Sequence, residues 1–179
     1  MCGIIYANNR DSSIELSTGL RVKNLFEIQR SRGINGFGMI EVLPNRIAMR
    51  RFVKEEDAIK ALEESESKEI LFHHRIPTST SNNVKSNHPM MTDSDLYQHK
   101  YYLVHNGHIN NHWQLKHEHE GLGVQYNSGE DFKFTDSEAL LHELAMIVEG
   151  LKKPEEFSCK GGLAFVMLQT DKNNKATNL

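Results

Sequence analysis

Six apolar runs of strand length, set out without regular intervening helices, constrain most strongly how this chain can fold. They are Gly3 to Ala7, Phe37 to Leu43, Ile47 to Val53, Glu69 to His73, Tyr101 to His105 and Leu163 to Thr170. Runs this short, bounded by polar or turn-forming residues, read as β-strands. The Pro44-Asn45 pair between the second and third predicts a hairpin turn. Helical spacing appears at Leu20, Leu25 and Ile28, again at Ala58, Ile59 and Leu62, and most clearly from Thr135 to Glu149. In that last segment Ala139, Leu140, Leu144, Ile147 and Val148 form one broad stripe. Thr135 followed by Glu138 reads as a capping box, and Gly150 stands where a left-handed C-terminal cap would fall. Two polar segments, Thr78 to Asn87 and His117 to Asp131, read as long loops of the kind that carry function. The helices do not alternate with the strands as a parallel sheet requires, so the expected class is α+β with mainly antiparallel strands.

Composition narrows the function. The chain has 179 residues with 21 Lys plus Arg against 24 Asp plus Glu, a net charge of −3, and 38 % hydrophobic residues. These values suit one globular domain over residues 1–179, and neither an internal repeat nor a linker divides it. No apolar run approaches the roughly 18 residues of a spanning helix, and the opening residues do not form a secretory signal. A soluble, cytoplasmic protein is the expectation. The pI near 6.4 and the lack of a basic block argue against nucleic-acid or anionic membrane partners. Two cysteines, Cys2 and Cys159, allow at most one disulfide, which suits a reducing compartment.

The chemistry begins at the second residue. Cys2 precedes a glycine, and removal of Met1 would leave a thiol and a free α-amine on one residue. The amine titrates near ~8, so part of it is neutral at pH 7 and can accept the thiol proton without a histidine partner. Four further stretches follow in order: Arg30-Ser31-Arg32-Gly33-Ile34-Asn35-Gly36-Phe37-Gly38, His74-Arg75-Ile76-Pro77-Thr78, His105-Asn106-Gly107-His108-Ile109-Asn110-Asn111 and Thr135-Asp136-Ser137-Glu138-Ala139-Leu140.

Together with Cys2-Gly3-Ile4-Ile5, this ordered set resembles the glutaminase domain of class II glutamine amidotransferases, which are N-terminal-nucleophile hydrolases. The resemblance covers residues 2 to about 170. It implies a four-layer αββα sandwich of two mainly antiparallel sheets. It also implies hydrolysis of L-glutamine to glutamate and ammonia through a Cys2 thioester, without a metal or organic cofactor. By the same resemblance, Arg75 matches the position that binds the substrate α-carboxylate, and its planar fork suits that group. Thr78 matches a second hydrogen-bonding position, and Asp136 matches the holder of the α-ammonium. Asn106, through its side-chain amide, and Gly107, through its backbone N–H, match the oxyanion hole. Arg32 and Gly33 match a motif packed beside the nucleophile.

The chain also departs from that pattern. Ile76 stands where relatives usually carry Trp or Tyr, Asn35 replaces a common aspartate, and Ser79 falls where some relatives have histidine. The strand from Leu163 is followed by few residues where relatives add another strand pair, so the fold is expected to be short at its C-terminal side. A synthase domain is not expected, and the ammonia would pass to an acceptor site on a separate synthase subunit. The competing reading is a catalytically inactive glutaminase-like binding or regulatory module. The ten histidines invite a metal site, but His105, His108 and His112 lack the HExxH spacing on a helix. Cys159 reads as a plain thiol.

Overall fold

The computed structural model describes residues 2–9, 16–76, 82–129 and 133–178. Eight strands and four α-helices span the described residues. They are β1 (Gly3–Asn8), α1 (Thr18–Gln29), β2 (Gly36–Val42), β3 (Ile47–Phe52), α2 (Glu55–Glu63), β4 (Glu69–Arg75), β5 (Met90–Met91), β6 (Lys100–Asn106), α3 (His112–Gly121), α4 (Asp136–Val148), β7 (Ala164–Thr170) and β8 (Ala176–Asn178). One sheet has the order β1-β4-β2-β3 and the other β5-β6-β7-β8, and every pairing is antiparallel.

Alternation within the strands sorts the core into three layers of side chains. On β2 and β4, Phe37, Met39, Ile70 and Phe72 meet Val22 and Phe26 of α1 and Ala58, Ala61 and Leu62 of α2. The opposite faces, through Ile40 and Leu71, pack with Tyr102, Val104 and Leu168 of the second sheet. That sheet's outer face, through Tyr101 and Leu103, lies under Ala139, Leu140, Leu141 and Ala145 of α4. The order is therefore helix, sheet, sheet, helix, as expected. Facing sheets pack by interdigitating alternate residues, so each strand must be apolar on both faces, and β2, β4 and β6 are.

Several local expectations need correction. The stripe Leu20, Leu25, Ile28 is not the core face of α1. The helix buries Thr18, Gly19, Val22 and Phe26, while Leu25 and Ile28 are 42 % and 80 % exposed. The segment expected to be a loop from His117 begins inside α3, a polar helix that buries only Leu115 and His119. His119 is held there by Tyr126 and Glu143, so a hydrogen-bonded imidazole takes the place of an apolar residue. Thr135 precedes α4 but its side chain makes no cap, and donates instead to Ser86 O at 3.4 Å. Glu138 likewise turns away, accepting the N–H groups of Asn127 at 2.6 Å and Ser128 at 3.0 Å. The C-terminal signal holds: Gly150 has φ +72°. The hairpin at Pro44-Asn45 also forms, closed by Leu43 N–H to Arg46 O at 2.9 Å. Strand β8, which the apolar pattern did not reveal, extends the second sheet beyond β7.

Candidate active site

The site forms where β1 begins, β4 and β6 end, and α4 begins. Cys2 stands one residue before β1. Its backbone nitrogen donates to Asn106 Oδ1 at 3.2 Å, which ties the start of the first sheet to the last residue of β6 in the second. With Oδ1 committed to Cys2, the Asn106 amide has its NH₂ as the remaining donor. Arg32 Nε donates to the Cys2 carbonyl at 3.1 Å, so the residue is held from both sides of its backbone. The thiol lies 3.9 Å from Ile76 O, beside a depression of about 330 Å³ lined by Arg30, Ser31, Gly33, Ile34, Asn35 and Ile76.

Gly107 has no room for a side chain. A Cβ there would lie 2.0 Å from Gly162 O and 2.5 Å from His105 Nε2. The backbone after Asn106 is thereby pressed against the 161–162 segment. His105 completes that support: Nε2 donates to Gly162 O at 2.9 Å, and Nδ1 accepts from Ser137 Oγ at 2.9 Å. Burial pushes its pKa below the ordinary histidine range, so the neutral, singly protonated ring that this pairing requires is favoured.

Arg75 ends β4 and is 3 % exposed. Its Nη1 donates to Ser86 Oγ at 3.1 Å and Asn87 Oδ1 at 3.2 Å. Burial lowers its pKa, while negative charge on Cys2 and on Asp136 acts in the opposite sense. Arg75 thus shares one electrostatic environment with the thiol and with the first residue of α4. Asp136 is also 3 % exposed, and its Oδ2 accepts Ile109 N–H at 2.7 Å. His108 Nδ1 lies 3.2 Å from the same oxygen. A carboxylate at this position also suits the positive end of the helix dipole.

The structure therefore brings Cys2, Arg75, Asn106, Gly107 and Asp136 together, with Arg32 behind them. Thr78, Ser79 and Met1 lie outside the described residues. Sequence reasoning missed Ser86, Asn87, Ser137 and Gly162, which hold Arg75 and His105 in place. Ser86 and Asn87 follow Arg75 by 11 and 12 residues in a polar stretch with no period, so no local signal ties them to it. Two other histidines have partners elsewhere: His112 Nδ1 faces Ile109 O, and His119 faces Glu143. Among the described residues no group of three or more His, Cys, Asp or Glu side chains is placed to hold a metal ion. Cys159 is free and half-buried, and burial pushes its thiol up to about 12. Among the described residues no helix is long and apolar enough to cross a membrane.

No family model matches the chain, and no curated protein matches its sequence. Solved structures do match its shape. One is an allosteric regulatory enzyme of purine biosynthesis, with a TM-score of 0.62 at 18 % identity over 94 % of this chain. Another is the glutamine phosphoribosylpyrophosphate amidotransferase of B. subtilis, in complex with ADP and GMP, with a TM-score of 0.59 at 14 % identity over 96 % of this chain. The chain spans 35 % of the length of each. At these identities the likeness establishes the fold alone, two facing antiparallel sheets between helical layers.

Proposed function

We propose that the protein is a class II glutaminase that hydrolyses L-glutamine to glutamate and ammonia. One observation carries the reading: Cys2, Arg75, Asn106-Gly107 and Asp136, drawn from four separate elements, converge at one end of a fold shared with a glutamine amidotransferase. Each supplies a counterpart to one part of glutamine. Arg75 receives the α-carboxylate, Asp136 the α-ammonium, and Cys2 the side-chain carboxamide, with Thr78 as a further hydrogen-bonding residue.

The reaction starts once Met1 is removed. The Cys2 α-amine takes the thiol proton and the thiolate adds to the carboxamide carbon. The carbonyl oxygen becomes negative and is held by the Asn106 NH₂ and the Gly107 N–H. The tetrahedral adduct collapses as the α-ammonium returns its proton to the leaving nitrogen, releasing ammonia and leaving a γ-glutamyl thioester. Water, deprotonated by the same amine, attacks the thioester, expels the thiolate and yields glutamate. No step calls for a metal or organic cofactor. The ammonia is used by an acceptor site on a separate synthase subunit, which purification from the native source with sizing would recover as a complex.

The deciding experiment is peptide mass spectrometry after incubation with a glutamine-mimicking electrophile, run beside a glutamate-release assay. Met1 removed, one adduct on Cys2 and glutamate formed is the expected result. Retained Met1 with no adduct would establish the inactive binding module instead, and an adduct on Cys159 would identify a different thiol.

A further inference from the structure

The loop after Asn106 and Gly107 places an imidazole beside the carboxylate assigned to the substrate ammonium. His108 Nδ1 lies 3.2 Å from Asp136 Oδ2, the oxygen that also accepts Ile109 N–H at 2.7 Å. The two side chains differ sharply in exposure: 51 % for His108 and 5 % for Asp136. The carboxylate is therefore shielded, while the imidazole reaches solvent. Nothing in the hydrolysis scheme above uses His108.

We propose that His108 tunes selection of the α-ammonium by competing with it for Asp136, an inference that rests on the glutaminase reading. When His108 is protonated, its positive charge stands against the carboxylate that the substrate ammonium must approach. When it is neutral, that opposing charge is gone.

Asp136 of α4 and His112 at the start of α3 face His108, the His112 ring centroid lying 5.7 Å from its own. His105 on β6 is kept neutral by burial. Arg75 on β4 and Cys2 before β1 act on the same pocket, Arg75 through Asp136. His108 is a positioning residue here: it acts on the substrate through Asp136.

The test is the pH dependence of KM and kcat for glutamine in the wild-type protein and in His108→Asn and His108→Gln. Glutaramate, the analogue lacking the α-ammonium, is measured alongside. The expected result is a wild-type KM for glutamine that rises about two- to fivefold from about pH 8 to 6, the size of an exposed ion-pair contribution. Both variants flatten that rise, and the KM for glutaramate does not show it. The kcat profile, set by the Cys2 amine, persists in all three. Hydrolysis with superimposable KM profiles in wild type and both variants overturns this inference alone. A protein with Cys2 confirmed at its N-terminus that hydrolyses no glutamine overturns the glutaminase reading, and this inference with it.

Discussion

At Gly107 the chain has space for a hydrogen atom and nothing larger, because backbone and ring atoms close in within 2.5 Å of where a Cβ would stand. Gly107→Ala is expected to move the 107–108 backbone off Gly162. The variant should lose about 1–3 kcal/mol of stability and glutamine hydrolysis about 10²-fold or more. Thermal unfolding and kcat measure the two effects separately. Asn106→Ala separates them further, since that residue is partly exposed: kcat should fall about 10²- to 10³-fold through loss of one donor to the oxyanion. Full activity in that variant would remove Asn106 from the oxyanion role. At this scale the site was partly legible in the sequence. Cys2, Arg75, Asn106 and Asp136 stand out only through the joint order of the stretches that hold them. Ser86, Ser137 and Gly162 were not legible, because their role lies entirely in where another segment meets them.

The elements show why periodicity alone can mislead. A stripe of Leu20, Leu25 and Ile28 satisfies helical spacing, yet α1 packs through Val22 and Phe26, whose ring lies 5.7 Å from Phe37 and 5.8 Å from Phe72, centroid to centroid. Helix α1 carries apolar residues on two faces, and which face turns inward depends on the sheet it covers. Phe26→Ala should therefore cost about 3–5 kcal/mol, whereas Ile28→Lys should lie within about 0.5 kcal/mol of wild type. Chemical denaturation checks both, and the reverse ordering would overturn the assigned face. Helix α3 gives the opposite lesson. Its sequence is polar nearly throughout, and it is anchored by a buried hydrogen-bonded histidine that no hydrophobic pattern can report. Helix α4 was readable because it is apolar around most of its girth and ends at a glycine in the left-handed conformation.

For the whole molecule, the buried imidazoles set the response to acid. Burial pushes His73 and His142 down to about 3, and His88 well below its ordinary value. Unfolded, these side chains take up protons near ~6.5; folded, they resist. The unfolded state then binds more protons, so the stability they contribute is complete above about 6.5 and is lost as pH falls toward 3. Glu143 adds to the loss at lower pH. Burial alone would raise its pKa, but hydrogen bonds from His119, Lys152 and Ser158 outweigh that and hold it at about 2. Its contribution is complete above its ordinary value and fades as pH drops toward 2. The denaturation midpoint should thus decline steadily below about pH 6.5, and a midpoint that stays level down to about pH 4 would contradict the buried, neutral state of these rings. The sequence by itself determined the approximate extents of six strands, the antiparallel class, the stop of α4 and the order of the chemical motifs. These follow from local alternation, capping residues and composition. Only the tertiary structure decided which face of α1 is buried, that α3 is a helix, where Thr135 and Glu138 spend their hydrogen bonds, and that residues as far apart as Cys2 and Asn106 touch. Those outcomes depend on long-range contacts between surfaces, and a single sequence read along its length carries the surfaces but not their pairing.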